Sequence, residues 1–172
     1  LRQDLKNKPG DTETMQSLAN SLYDLGVMRM RDNNEVEAAR GNLAEALEIY
    51  EQLLKQNSEN VELHLLAATS AFYSGNNEKA EQHYKKALEI KPELLEAKMN
   101  YGQFLLYAKG DFSGAKAQWR QALELAPNEA TKETLNQMIA RAEKIEEQYK
   151  EKLENTEVEV KKEGESSDNS SE

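Results

Sequence analysis

The chain has 172 residues, no cysteine and a formal net charge of −10, and this composition excludes several classes of function. Without cysteine the chain has no disulfide, no thiol nucleophile and no thiolate ligand for a metal. Its negative charge would be repelled by nucleic acid and by anionic lipid, so we expect no nucleic-acid partner and no direct membrane contact from this chain.

The N-terminal part predicts a lead-in segment, residues 1–11, followed by an unusually long helical hairpin. Pro9-Gly10 indicates a turn. Two helices are predicted at about 12–31 and 35–56, because this stretch is rich in helix formers and carries one turn signal, Asp32-Asn33-Asn34. Asn34, with Glu37 three residues on, is a candidate capping box. We expect the surplus length to pack on itself, on the N-terminal segment or on another molecule.

The next two stretches, residues 61–92 and 95–127, repeat each other almost residue for residue. Each predicts a helical hairpin, because apolar residues recur at helical spacing on both sides of a turn. Gly75 and Gly110 are expected to end the first helices, and Asn77 and Asp111 to cap the second helices. The later repeat is one residue longer. We assign the extra residue to the turn, because loops tolerate insertion better than packed helices.

These positions resemble the tetratricopeptide repeat family, whose 34-residue motif includes an A-x3-F element and a terminal proline. The element is matched by Ala80 with Tyr84 and by Ala115 with Trp119, and the proline by Pro92 and Pro127. The first unit matches it with Ala46 and Tyr50. The resemblance covers about residues 12–127. It implies an all-α fold, a right-handed stack of three antiparallel helical hairpins over residues 12–129.

The C-terminal part predicts one further helix and a tail. Apolar residues from Leu135 to Tyr149 recur at helical spacing within a strongly polar stretch, which is typical of the helix that caps a repeat stack. We therefore place a capping helix at residues 130–154. Residues 155–172 are rich in acids and serine, and we predict a disordered acidic tail there.

Candidate catalytic residues are few. The chain has two histidines, His64 and His83, which we interpret as a partly buried packing residue and a surface residue. The sequence contains no glycine-rich phosphate loop, nucleophile elbow or paired-histidine zinc motif. We therefore predict no catalytic residue, no metal site and no cofactor.

The resemblance implies a binding surface, because the first helices of successive tetratricopeptide hairpins line a concave groove. Gln16 and Asp24 face this groove in the register of the first unit. The remaining predicted groove residues are aromatic, aliphatic and amide side chains suited to an extended peptide or an amphipathic helix. They are Asn20, Tyr23, Leu65, Thr69, Phe72, Tyr73, Met99, Gln103, Leu106 and Tyr107. Packing of Phe72, Tyr73 and Tyr107 against neighbouring repeats is the alternative.

The predicted function is therefore a non-catalytic scaffold that binds a peptide or a helix of a partner protein in this groove. The alternative is a homo-oligomerisation module, such as a homodimer formed through the long first hairpin, and an enzyme is a distant third. A subset of the family grips the C-terminal carboxylate of chaperones with lysine, arginine and asparagine. Here only Asn20 fits such a role, so that clamp is expected to be absent.

A fuller resemblance concerns the cell compartment. The segments LANSLYDLG and FYSGNNEKAEQHYKKALEIKP are similar to those of bacterial tetratricopeptide proteins with an N-terminal membrane anchor or signal. This similarity implies an extracytoplasmic domain, tethered through a segment that precedes residue 1. A cytoplasmic location is the alternative.

Overall fold

A computed structural model describes the backbone of residue 2 and residues 10–168, and the side chains of residues 2 and 10–156. Every regular element in these residues is helical. The elements are α1 (Thr12–Arg29), a 3-10 turn (Asn33–Glu35), α2 (Val36–Leu54), α3 (Val61–Ser74), α4 (Asn77–Ile90), α5 (Leu95–Phe104), a π-helical turn (Leu105–Lys109), α6 (Phe112–Glu124) and α7 (Glu129–Asp168).

The helices pack in the order in which they follow one another in the chain. α1 packs on α2, α3 on α4 and α5 on α6, and each hairpin also contacts the next. α7 packs against the side of α6 that faces away from the other hairpins. This architecture confirms the predicted all-α stack of three hairpins closed by a C-terminal helix. α1, α3 and α5 are the first helices of the three hairpins.

Small residues allow the helices to cross closely, and large aromatic residues fill the space beside the crossings. Ala80 and Ala115 have no exposed surface, and Tyr84 and Trp119, one turn further along the same helices, are also fully buried. Close packing of this kind explains why the apolar stripes keep helical spacing in each repeat.

The first hairpin is longer than the others, with 18 residues in α1 and 19 in α2 against 14 in each of α3 and α4. Arg2, in the lead-in segment, forms an ion pair of 2.7 Å with Glu45 on α2. Residues 3–9 of that segment lie outside the described residues, and Gly10, with φ of 95°, forms a turn before α1.

The helix ends confirm two kinds of predicted cap and correct two others. Gly75 and Gly110 end their helices with φ of 92° and 64°, a conformation that glycine adopts without strain. Asp111 accepts a bond of 2.8 Å from the amide of Gly114. The cap of α4, however, is Asn76, whose side chain accepts from the amide of Lys79. The prediction chose the wrong one of two adjacent asparagines.

The predicted capping box at Asn34 is wrong. The side chain of Asp32 instead accepts from the amide of Asn34 at 2.9 Å and starts the 3-10 turn. Glu35 then precedes α2 without any side-chain bond to its amides. An aspartate that bonds the amide two residues on forms a local turn, and here that turn precedes the helix.

The extra residue of the third repeat lies in a helix, so its assignment to the turn was wrong. Residues 61–74 form the first helix of the second hairpin, whereas residues 95–109 form that of the third. The added residue widens the last turn into a π-helix, and the amide of Asp111 bonds the carbonyl of Leu105 at 2.9 Å. π turns inside α-helices absorb one residue in this way and often lie at functional sites.

The last helix differs from the sequence-based expectation. α7 does not end at residue 154 but continues to Asp168, so residues 155–168 of the predicted tail are helical in the structure. Glutamate and lysine, which are frequent there, both favour helix. Residues 169–172 lie outside the described residues. Within the described part of the chain, no helix is long and apolar enough to cross a bilayer.

Candidate functional site

The predicted groove residues lie on one side of α1, α3 and α5, which we call the first-helix face, at three levels of exposure. Tyr73 and Tyr107 are 37% and 53% exposed. Asn20 is exposed, and Tyr23, Phe72, Met99 and Gln103 are partly exposed. Leu65, Thr69 and Leu106 are buried, which corrects their assignment to an open surface. Leu65 and Leu106 belong to the hydrophobic core, and Thr69 bonds the second helix beneath it.

Hydroxyl groups connect the first helices to the second helices under this face. The Tyr50 hydroxyl donates to Asn20 Oδ1 at 2.8 Å. Thr69 Oγ1 donates to the carbonyl of Leu65 at 3.0 Å and lies 3.3 Å from the Tyr84 hydroxyl. Because the threonine proton is directed to the carbonyl, Tyr84 is the donor in the second bond. Asn20 and Thr69 therefore position the first helices against the aromatic residues of the repeat motif.

Tyr23 lies where α1 meets the second and third hairpins. Burial is the largest cause that raises the pKa of its hydroxyl, and the neighbouring Tyr73, Glu96 and Asp24 raise that pKa further. The structure therefore brings α1, α3 and α5 together around one phenol. This hydroxyl stays protonated and uncharged at neutral pH.

Phe72 supports Tyr73 from below. The two rings stack with centroids 4.9 Å apart, and Phe72 meets Phe104 of the third hairpin edge to face at 5.6 Å. Packing against the neighbouring repeat, the alternative interpretation of these aromatics, therefore describes Phe72 well. Tyr73 keeps over a third of its surface exposed and is held in place by that packing.

Tyr107 lies in the π turn, at a small cavity where the third hairpin meets α7. The cavity has a volume of about 60 Å³, and Gln103, Leu106, Trp119 and Met138 contribute to its walls. The guanidinium carbon of Arg141 is 5.8 Å from the centroid of the Tyr107 ring, within the range of a cation–π interaction.

Arg141 was not among the predicted site residues, although the repeat carries a signal for it. Tyr107 follows Tyr73 by 34 residues, and Arg141 follows Tyr107 by another 34. Extending the repeat register into the capping helix would have placed Arg141 on the first-helix face.

The two histidines form a largely buried pair, in which the side chain of His83 is 14% exposed, and this corrects the interpretation of His83 as a surface residue. Their Nδ1 atoms are 3.0 Å apart, and His64 Nε2 lies 2.9 Å from the carbonyl of Ser58. A carbonyl only accepts, so His64 carries its proton on Nε2 and accepts at Nδ1 from His83. His83 Nε2 faces a carboxylate oxygen of Glu51 at 3.6 Å. Burial is the main cause that lowers the pKa of His83.

This pair packs between the two helices of the second hairpin. The residues that the structure describes contain no group of three or more histidine or acidic side chains arranged to hold a metal ion. The open depression beside the pair is lined partly by Leu54 and Gln52. The first-helix face, with its exposed tyrosines, is the better candidate for function.

Comparison with known proteins supports the family resemblance. Residues 35–94 match the tetratricopeptide repeat family. The "DnaJ homolog subfamily C member 7 homolog" of Schizosaccharomyces pombe is 28% identical over 112 residues, which is 59% of this chain and 23% of the relative. The chain therefore spans less than a quarter of the length of that relative.

Two solved structures share the fold. The tetratricopeptide domain of Arabidopsis OM64 superposes with a TM-score of 0.60 at 21% identity, covering 77% of this chain and 94% of that domain. PcrH, solved in complex with the chaperone binding region of PopD, gives a TM-score of 0.56 at 21% identity, covering 74% and 92%. Residues 35–94 thus carry tetratricopeptide repeats, and the chain has the fold of a tetratricopeptide stack.

Proposed function

We propose that the chain is a non-catalytic scaffold that binds a peptide or a helix of a partner protein on the first-helix face. The observation that carries this proposal is the pair Tyr73 and Tyr107, exposed by 37% and 53% and placed one repeat apart. Phe72 and Arg141 hold the two rings. Fixed, partly exposed tyrosines bury large contact areas at low entropic cost, which is why they are frequent at binding hot spots.

The family supports a binding role, because tetratricopeptide domains are generally interaction modules. PcrH was solved with a segment of another protein, PopD. At 21% identity this likeness concerns the fold, and the PopD segment is a partner of PcrH. Asn20 is the one groove residue that fits a carboxylate clamp, and Leu65, Met99 and Glu96 stand where polar or basic residues would be needed. We therefore expect a partner that is held along its length rather than by its C-terminal carboxylate.

A pull-down with three baits tests the proposal. The baits are the unchanged chain, the double variant Tyr73→Ala/Tyr107→Ala, and Tyr149→Ala as a control with an equally exposed tyrosine away from the first-helix face. Truncating an aromatic hot spot commonly costs about 2 kcal/mol, or roughly thirtyfold in affinity. We expect the double variant to lose partners that both other baits retain. Equal recovery by all three folded baits would contradict the proposal.

The long first hairpin supports a second candidate, a homodimer. Met28, near the end of α1, is 60% exposed, the most of any large apolar side chain in the described part of the chain. Light scattering of the unchanged chain and of Met28→Glu tests this candidate. We expect the variant to be a monomer where the unchanged chain is a dimer. A monomer in both cases would exclude the candidate.

The proposed location outside the cytoplasm, with a tether, is supported by the resemblance of the LANSLYDLG and FYSGNNEKAEQHYKKALEIKP segments to anchored bacterial proteins. Fractionation of cells that express the full-length protein tests it. We expect the protein in the membrane fraction, accessible to protease from the extracytoplasmic side. Recovery in the cytosolic fraction would contradict this proposal and leave the binding role intact.

A further inference from the structure

Three carboxylates on the first-helix face have no partner among the described side chains. Asp24 lies on α1, Glu62 in the first turn of α3 and Glu96 in the first turn of α5, and all three are exposed. None of them forms an ion pair with a cation of residues 2 or 10–156. By contrast, Glu51 and Glu81, on the second helices, pair with lysines at 2.7 Å.

Asp24 and Glu96 lie near Tyr23 on this face, and Asp24 and Glu62 lie near Tyr50, which is buried on α2 beneath it. The charges of Glu96 and Asp24 contribute to the raised pKa of Tyr23. Burial is the largest cause that raises the pKa of Tyr50, and Asp24 and Glu62 contribute to that rise as well. The negative charge is therefore contributed by all three first helices, with Asp24 and Glu96 beside the phenol of Tyr23.

Two of the carboxylates recur with the period of the repeat, as the exposed tyrosines do. Glu62 and Glu96 are 34 residues apart, as are Tyr73 and Tyr107. The tyrosine follows the glutamate by 11 residues in both hairpins. On α3 this spacing is close to three turns and places Glu62 and Tyr73 on the same side of the helix, roughly 16 Å apart. In the third hairpin Glu96 lies on α5 and Tyr107 in the π turn that continues it. Two neighbouring helices thus present parallel rows that each begin with a carboxylate and end with an exposed phenol.

Helix stability explains only part of this pattern. An acid in the first turn of a helix is stabilised by the helix dipole, which accounts for Glu62 and Glu96 without a ligand. Asp24 lies in the second half of α1, where the dipole does not favour it. The dipole therefore does not account for Asp24, and a positively charged partner beside Tyr23 would pair with it.

One tyrosine of this face already contacts a cation within the chain. The guanidinium of Arg141 lies over the ring of Tyr107. The equivalent ring, Tyr73, has no cation over it among the described residues, although a third of its surface is exposed. An arginine from another molecule would complete the same contact there, and nearby carboxylates would pair with its charge.

We propose that the partner is an arginine-bearing, cationic segment of a protein, with one arginine over Tyr73 and further positive charges paired with Asp24, Glu62 and Glu96. This inference rests on the proposed function, because it assigns a chemistry to the occupant of the same face. The partner's charge would speed association and select against acidic peptides, as complementary charge does at other interfaces.

Fluorescence anisotropy with two labelled peptides tests the inference. Both peptides share a leucine and alanine framework; one carries arginines, and the other carries glutamates at the same positions. We expect the arginine peptide to bind at least about tenfold more tightly, and added salt to weaken its binding. Comparable affinity of the two peptides, or no binding of the arginine peptide, would overturn the inference.

Two triple variants distinguish binding at this face from attraction to the net charge of the whole chain. Asp24→Asn/Glu62→Gln/Glu96→Gln removes the three carboxylates of the face, and a control removes three exposed acids elsewhere that have no ion pair among the described residues. The control is Glu48→Gln/Glu124→Gln/Glu147→Gln. We expect the first variant to bind the arginine peptide roughly five- to tenfold more weakly and the control to change binding less than about twofold. Equal weakening would show attraction to net charge alone and would overturn the inference.

The variant Tyr73→Ala/Tyr107→Ala distinguishes an error in the cationic assignment from an error in the proposed binding function. If both peptides bind equally and the double variant weakens both, the face binds peptides and the cationic assignment is wrong. If the double variant binds the arginine peptide as tightly as the unchanged chain, the face itself is wrong and both proposals fall. Circular dichroism confirms that each variant is folded before binding is compared.

Discussion

Gly102 is required by the ring that packs against it. A Cβ atom at this position would lie 2.4 Å from Nε1 of Trp119, and the indole is 1% exposed and donates from Nε1 to the carbonyl of Met99 at 3.0 Å. We expect Gly102→Ala to lower the free energy of unfolding by roughly 1–3 kcal/mol, because the indole would have to shift from its packed position and weaken its bond to Met99.

Gly41 provides the matched control for this substitution. It is exposed in the middle of α2, and a Cβ atom there would meet no atom within 4 Å. Gly41→Ala should raise the free energy of unfolding by about 0.5–1 kcal/mol, since alanine is the better helix former. Urea denaturation of both variants checks the prediction, and shifts of the same sign would contradict it.

The histidine pair predicts a pH dependence of stability. Burial, then the neighbouring His64 ring, lowers the pKa of His83 below its ordinary value of 6.5, while Glu51 opposes the shift and Lys79 adds to it. Below pH 6.5 the unfolded chain therefore binds a proton that the folded chain does not. The free energy of unfolding should fall as the pH is lowered from about 6.5 through the folded-state pKa of His83.

Denaturation measured from neutral pH to about pH 5.5 checks this sign, because carboxylates ordinarily titrate at lower pH. His83→Gln should flatten the dependence in that window, since it removes the titrating ring. The interpretation fails if the variant keeps the slope of the unchanged chain, or if stability rises on acidification.

At the scale of the element, α7 divides into a half that packs and a half that does not. Leu135 is fully buried in the core, whereas Leu153 on the same helix is 49% exposed. Leu135→Ala should lower the free energy of unfolding by about 2–5 kcal/mol, the usual range for a buried leucine. Leu153→Ala should change it by less than about 0.5 kcal/mol. Chemical denaturation checks both, and equal effects would show that the outer half is also packed.

The elements show which features a sequence can reveal. Gly75 and Gly110 were found because a left-handed C-cap depends on one residue and its own φ angle. The π turn was missed, because a one-residue insertion looks the same in the sequence whether a loop or a helix absorbs it. The choice depends on how Leu105 and Leu106 pack against the neighbouring helices.

The same reasoning applies to the candidate site. The repeat register was enough to select Tyr73 and Tyr107, because side chains at equivalent positions of a stack have equivalent surroundings. It was not enough to separate exposed from buried positions, and Leu65 and Leu106 proved to be buried. The contact of His64 with His83 joins two helices at unrelated positions of the motif, so no pattern within one repeat predicted it.

At the scale of the whole molecule, stability should be transmitted along the stack. Nearly every packed pair of helices is adjacent in the chain, so each hairpin depends mainly on its neighbours. In the variant Leu135→Ala, hydrogen exchange should accelerate most in α6 and α7 and least in α1 and α2. Uniform acceleration would indicate that the stack unfolds as one cooperative unit and would contradict this prediction.

The chain has one tryptophan, Trp119, and its location gives the molecule a built-in optical reporter. The indole is buried in the third hairpin and also borders the cavity beside Tyr107 and Arg141. Its emission therefore follows the environment of the third hairpin, while far-ultraviolet circular dichroism averages over every helix. A ligand that displaces Arg141 from Tyr107 would change the same emission, so one unlabelled signal can follow both unfolding of this end of the stack and occupation of its surface.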